Sequence, residues 1–176
     1  MTDIVLRDAT PADLPAIHAI YAHHVMHGLG SFEETPPSLE EITQRYRAVR
    51  DKNMPYLVVT QSSKILGYAY AGAYRPRIAY RYTVEDSIYV AHDAAGKGVG
   101  KILLSELLAR CTAMDFRQMV AVIGDSANTG SIGLHKALGF EMIGNLKSVG
   151  FKFGRWIDSI YMQRALGPGD KSLPEK

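Results

Sequence analysis

Apolar and polar positions change their spacing several times along the chain, and each change marks an element. The run from Ile4 to Arg7 predicts a short first strand. Thr10-Pro11-Ala12-Asp13 then supplies a helix start, with Thr10 as N-cap, Pro11 at the first helical position and Asp13 at N3. In the helix that follows, Leu14, Ile17, Ile20 and Tyr21 share one face. Gly28 to Pro37 form a loop, after which Ser38 and Glu41 make the capping box of a second helix. Tyr56–Thr60 and Ile65–Tyr74 are strand-like runs joined by a polar turn. Arg75-Pro76-Arg77 breaks the pattern, and a long strand runs from about Tyr82 to Val90. Val99, Leu103, Leu107 and Cys111 recur at four-residue spacing, a core-facing helical stripe. Gln118–Ile123 reads as a buried strand. Asn128 caps a helix ending at Leu138, with Gly139 closing it before a strand at Phe140. A final strand runs from about Arg155 to Gln163. Helices thus interrupt a strand-rich middle, which predicts one mixed α/β domain over residues 1–166. Residues 167–176, GPGDKSLPEK, have nothing to bury and predict a flexible tail.

Composition narrows the function classes. A chain of 176 residues with 47% hydrophobic and 22% charged residues fits one soluble globular domain. A net charge of +2, with no run of Lys or Arg, offers no nucleic-acid surface. No apolar run reaches membrane-spanning length, and MTDIVLRDATPADLP lacks the pattern of a signal peptide. Cys111 is the only cysteine, so an internal disulfide is excluded and a reducing, cytoplasmic setting is expected. Its place on the helical stripe predicts a buried, inert thiol.

The stretch VEDSIYVAHDAAGKGVGKILL carries the strongest chemical signal. A strand with one Glu at position 85 leads into glycines 96, 98 and 100, and the loop opens a helix. Alternate glycines let backbone N–H groups converge, and the helix start adds unpaired donors and a positive dipole end. Such a nest binds phosphate without side-chain charge. The P-loop spacing fails, because Ala95 stands where its first Gly belongs and Ile102 follows Gly100-Lys101. The dinucleotide spacing also fails. Taken alone, the loop remains either a pyrophosphate cradle or an ordinary glycine-rich turn.

Longer segments decide between these. SIYV, AGKGVG and SANTGSIGLHKALGF resemble the GNAT superfamily of N-acetyltransferases. TVEDSIYV, LHKALGF and VGFKFGRWID are similar to its phosphinothricin and methionine sulfoximine acetyltransferase branch, over nearly the whole chain. The resemblance implies a GNAT-like acyl-CoA N-acyltransferase fold, with a splayed central sheet holding acetyl-CoA and no metal. The backbone of Ile88, Tyr89 and Val90 would pair with the pantetheine arm. The N–H groups of Ala95, Gly96, Lys97, Gly98, Val99, Gly100 and Lys101 would hold the pyrophosphate, and Asn128 would touch the cofactor. Lys97 and Lys101 either add charge there or are simply solvated.

Acetyl transfer to an amine needs a proton acceptor for an ammonium whose pKa is about 8 to 10, and a proton for the departing thiolate. Glu85 matches the branch's general base; Asp86, on the opposite strand face, is the comparison for an ordinary strand carboxylate. His135 lies where the family often places a candidate acid, and its other reading is a packed helix residue. Two guanidiniums can grip a carboxylate, so Arg75, Arg77 and the following aromatic Tyr80 are expected to bind an amino-acid carboxylate or phosphinate. Arg81 is an equally plausible donor in that turn. Phe32 corresponds to a substrate-packing aromatic, and Tyr89 either bonds the substrate or fills the core. Phe153 and Ile157 replace His residues of phosphinothricin enzymes, which is expected to make the pocket mouth more apolar.

The branch's members suggest a resistance enzyme acting on phosphinothricin, methionine sulfoximine or methionine sulfone, with a homodimer formed around Gly150 to Trp156. Another amine (a polyamine, an aminoglycoside, a protein N-terminus) and a non-catalytic acetyl-CoA-binding module are the alternatives. Paired arginines disfavour cationic acceptors. His18, His23, His24 and His27 cluster near one helix, and His23/His27 have metal-ligand spacing, but no Cys or inward carboxylate completes a set. Ser126 and Ser131 lie in no nucleophile elbow.

Overall fold

A computed structural model describes residues 4–174. The chain builds one seven-stranded sheet in the order β1-β2-β3-β4-β5-β7-β6. The strands are β1 (Ile4–Asp8), β2 (Tyr56–Gln61), β3 (Lys64–Ala73), β4 (Thr83–Val90), β5 (Gln118–Gly124), β6 (Glu141–Lys152) and β7 (Arg155–Ala165). The helices are α1 (Leu14–His27), α2 (Leu39–Arg50), α3 (Val99–Ala113) and α4 (Thr129–Ala137).

Local sequence explains most boundaries. Ser38 Oγ accepts the Glu41 N–H at 3.1 Å, and Asn128 Oδ1 accepts that of Ser131 at 3.1 Å, so the predicted caps of α2 and α4 form. Gly139 lies just past α4 with φ +82°, a conformation that suits glycine. Pro11–Asp13 form a single 3-10 turn before α1, and Asp13 there receives a two-pronged bond from Arg7 at 2.7 and 2.8 Å.

The two sheet faces bury different sets of side chains. Val99, Leu103, Leu104, Leu107, Leu108 and Cys111 of α3 are buried with Leu57, Val59, Ala69 and Val84. Leu14, Ile17, Ile20, Tyr21 and Val25 of α1 and Ile42 and Tyr46 of α2 pack with Tyr56, Val58 and Tyr68 on the other face. At about 1.5–3 kcal/mol for each fully buried large side chain, these two layers dominate stability. Burial pushes the Cys111 thiol up to about 12, aided by the negative charge of Asp86, as an inert thiol requires.

All strand pairs are antiparallel except β4 with β5. That parallel contact is short: Thr83, Val84 and Glu85 pair with Gln118, Met119 and Val120, and there it stops. β4 continues to Val90 against β3, while β5 continues to Gly124 against β7. The sheet therefore opens beyond Glu85, as the resemblance implied.

At the C-terminus, residues expected to be a loose tail lie against Arg117. That buried guanidinium donates to Ser172 Oγ at 3.1 Å and to the carbonyls of Gly169, Ser172 and Leu173 at 3.4 Å. Residues 175 and 176 of that tail are outside the described residues. Among the described residues, no helix is long and apolar enough to cross a membrane.

Candidate active site

Where β4 and β5 part, a cavity of about 770 Å³ opens. β4 lines it with Glu85, Asp86, Ser87, Ile88 and Tyr89. The opposite wall comes from the end of β5 and the middle of β7, including Gly124, Ser159 and Tyr161, and α4 adds Ser131 and His135. The loop after α1 closes the remaining side with Gly30, Ser31, Phe32 and Glu33.

Glu85 is half-buried at the last β4–β5 pair. Burial raises its carboxyl above the ordinary value, Asp86 raises it further, and Arg75 opposes both. A carboxylate in this setting binds a proton more readily than a solvated one, which suits a base facing an ammonium.

Asp86, the expected ordinary strand carboxylate, is buried and bonded through Oδ2 to His135 Nε2 at 3.0 Å. Strand alternation turns it toward α3 and α4, where an unpaired carboxylate would be costly. The other ring nitrogen, Nδ1, donates to the Ser131 carbonyl at 2.8 Å. Both nitrogens of His135 are thus engaged, and the pair shares a proton between Nε2 and Oδ2. Strand parity plus the need to satisfy a buried acid is the signal that would have exposed this pair in the sequence.

Free backbone borders the cavity. Ala91 N–H donates to Leu66 in β3, so alternation turns the N–H groups of Ile88 and Val90 toward the open edge. The Val90 carbonyl receives His24 Nε2–H at 2.8 Å, which spends that acceptor. Next, Gly96 and Gly98 have φ of +75° and +79°, and a Cβ at either would point into open space. The first backbone bond of α3 is Ile102 N–H to Gly98 at 3.1 Å, so the N–H groups of Val99, Gly100 and Lys101 precede the ladder. At Gly100 the constraint is packing: a Cβ would come 3.0 Å from a side-chain methyl of Leu134 in α4, which would have to give way. A free strand edge, a left-handed glycine pair and a helix start fit a pantetheine diphosphate. Ala95, Lys97 and Lys101 are exposed on this loop, but the N–H groups of Ala95 and Lys97, expected to face the pyrophosphate, donate instead to the His92 and Ala94 carbonyls at 3.4 Å. Asn128 caps α4 while donating to Gly124 at 3.5 Å.

The predicted acceptor residues divide. Phe32 and Tyr89 line the cavity, and Tyr89 packs edge-on to Tyr21 at 5.0 Å. Arg75 stands over the Tyr74 ring, 4.8 Å from its centroid, and its charge reaches Glu85 and the lining Tyr161. Arg75, Arg77, Tyr80 and Arg81 are all exposed and outside the lining; Tyr80 packs on Tyr74 at 5.6 Å. Phe153 and Ile157 do not form the mouth. Phe153 is exposed at the β6–β7 turn with φ +52°, whereas Ile157 is buried in the core. Ser87, Ser159, Tyr161, Leu146 and Val149 were missed, because their convergence depends on long-range strand order. His23 stacks with His92 at 4.7 Å and lies 4.7 Å from His27, and no metal-holding group occurs among the described residues.

Comparison with known proteins gives consistent matches. Residues 6–161 match the family described as an acetyltransferase (GNAT) domain. A phosphinothricin N-acetyltransferase of Alcaligenes faecalis is 60% identical over 163 residues, 93% of this chain and 83% of that one. An L-methionine sulfoximine/L-methionine sulfone acetyltransferase of Pseudomonas paraeruginosa is 44% identical, covering 93% and 95%. The crystal structure of a GNAT superfamily phosphinothricin acetyltransferase from Sinorhizobium meliloti in complex with AcCoA superposes with a TM-score of 0.96 at 51% identity, covering 100% of this chain and 95% of that one.

Proposed function

Because the chain belongs to the GNAT acetyltransferase family, we propose that it acetylates the α-amino group of a small amino-acid analogue of the phosphinothricin, methionine sulfoximine or methionine sulfone type. The observation that carries this reading is the position of Glu85. It is a half-buried carboxylate at the point where β4–β5 pairing ends, facing the cavity beside a free strand edge.

Acetyl-CoA, when bound, supplies an activated thioester. The Ile88–Val90 edge and the Ala95–Lys101 loop orient it, and Glu85 takes the proton of the incoming ammonium directly or through a water. His135 lies on the α4 side of the cavity with both ring nitrogens already bonded, which favours its packed reading; the departing thiolate then takes its proton from protonated Glu85 or from solvent. Arg75 at the rim attracts the acceptor's carboxylate, supported by Arg77 and Tyr80 on the same turn. Phe32 packs the acceptor side chain.

The chain also pairs with a second copy of itself through the β6–β7 hairpin. Met142, Ile143, Val149, Phe151, Phe153 and Trp156 are all more than half exposed there, apolar side chains that a second copy would cover. Thiol release from acetyl-CoA should therefore appear with phosphinothricin, methionine sulfoximine or methionine sulfone and be absent with polyamines. Turnover with polyamines only, or none with any acceptor despite cofactor binding, would refute the proposal.

A further inference from the structure

The loop that follows α1 forms the Phe32 wall of the cavity, yet it belongs to no strand and lies between two helices. What fixes it comes from 121 residues beyond Ser31. Lys152, the last residue of β6, is 1% exposed. Its Nζ donates to the carbonyls of Gly28 at 2.9 Å and Ser31 at 2.8 Å. Among the described residues, no carboxylate forms an ion pair with it. Burial lowers its pKa, and the nearby charges of Glu34 and Glu33 act the other way.

The surface beneath the loop is shaped to receive it. A Cβ at Gly150, two residues before Lys152 on the same strand face, would stand 2.6 Å from Phe32 Cε2. One at Gly124, at the end of β5, would stand 2.2 Å from the Leu29 carbonyl oxygen and 3.0 Å from Phe32 Cε1. Tyr21 adds a hydroxyl bond to Ser31 Oγ at 3.0 Å. Two bare glycines seat the ring and chain, and one buried ammonium hooks the carbonyls on either side of them. Lifting the loop would take both carbonyl partners from that ammonium and leave it only the face of the Phe153 ring, 4.9 Å from Nζ.

We propose that Lys152 is a positioning residue for the acceptor: by holding the Gly28 and Ser31 carbonyls, it fixes Phe32 over Gly124 and Gly150 as one wall of the acceptor pocket. This rests on the acetyltransferase reading, with the acceptor bound beside Phe32. Lys152 touches no reacting atom. Its effect falls on acceptor binding and not on the cofactor loop, which follows β4 in the chain and gives no residue to the lining of the cavity.

The test combines steady-state kinetics with hydrogen–deuterium exchange of peptides covering residues 28–37, in wild type, Lys152→Met and Gly150→Ala. Lys152→Met keeps the length of the side chain and removes its donors; Gly150→Ala keeps Lys152 and displaces the ring. Each should raise the acceptor KM about tenfold or more while the acetyl-CoA KM changes by less than about threefold, and each should quicken exchange in the loop. Unchanged exchange together with an unchanged acceptor KM would overturn the proposal. So would equal losses in kcat and thermal stability with no separation of the two KM values. If Lys152→Met fails to fold, Lys152→Gln, shorter and uncharged, decides by the same criteria. Absence of amino-acid acetylation in wild type would sink the substrate reading, and the exchange result would then decide the Lys152 hook alone.

Discussion

His135 Nε2 stands 3.0 Å from Asp86 Oδ2, with both side chains buried and the Asp86 Oδ1 atom lacking a hydrogen-bond partner among the described residues. Burial pushes the imidazole's pKa down, but the bond and charge of Asp86 outweigh it, and the net direction is upward. A raised folded-state value means that this stabilisation is complete below the unfolded value near 6.5 and is lost as pH climbs through the folded value. Urea unfolding between about pH 6 and 9 should show that decline in wild type. His135→Gln should lack it and lose roughly 3–5 kcal/mol at neutral pH, because Asp86 is left buried without its partner. A wild-type profile with no such decline would remove the shared proton from the account.

Glu85→Gln should lower kcat by about 10²–10⁴ and leave the acetyl-CoA KM almost unchanged. Since the Glu85 carboxyl lies above its ordinary value of 4.5, wild-type turnover should fall as pH drops through a point above 4.5. Unaltered turnover in the variant would exclude Glu85 as the base.

Arg75 and Arg77 should not be equivalent. Both are exposed and lie outside the lining residues, but the charge of Arg75 reaches Glu85 and the lining Tyr161. Arg75→Ala should raise the acceptor KM by about one to two orders of magnitude, and Arg77→Ala by less. Arg75→Ala should also shift the acid limb of turnover upward, since its positive charge holds the Glu85 value down. Equal KM effects would indicate that the turn moves as a whole when an acceptor binds.

Gly98 begins α3 in the left-handed region with open space where a Cβ would lie. Gly98→Ala is therefore expected to cost about 1–2 kcal/mol of backbone strain, without a steric clash in the protein. The acetyl-CoA dissociation constant should rise, measured by calorimetry, while acceptor KM stays put. A variant with normal cofactor affinity would separate the loop from pyrophosphate binding.

Much of this arrangement was readable from residues that act locally. Ser38, Asn128 and Gly139 capped helices as their chemistry dictates, and the α3 stripe ending at Cys111 was buried as its spacing required. The glycine loop and Glu85 were legible because backbone conformation and strand order place them within one short stretch. Asp86 was misread because its partner lies 49 residues away, and its neighbour Glu85 drew attention to the opposite face. Phe153 and Ile157 were misplaced for a related reason. The bulges in β6 shift its register against β7, so similarity of sequence did not reveal which hairpin residues reach the cavity. Lys152 gave no local signal at all: its partners are carbonyls 121 and 124 positions distant.

Trp156 is the chain's only tryptophan, 66% exposed and edge-on to Phe151 at 5.2 Å. Indole emission consequently originates entirely on the β6–β7 hairpin, which gives the molecule an intrinsic optical gauge of whatever covers that face. Association of two copies would move the emission to shorter wavelength, and dilution would return it. Lys152 sits between the outward Phe151 and Phe153, so the same signal also reads any movement that acceptor binding passes from the Phe32 loop into the hairpin.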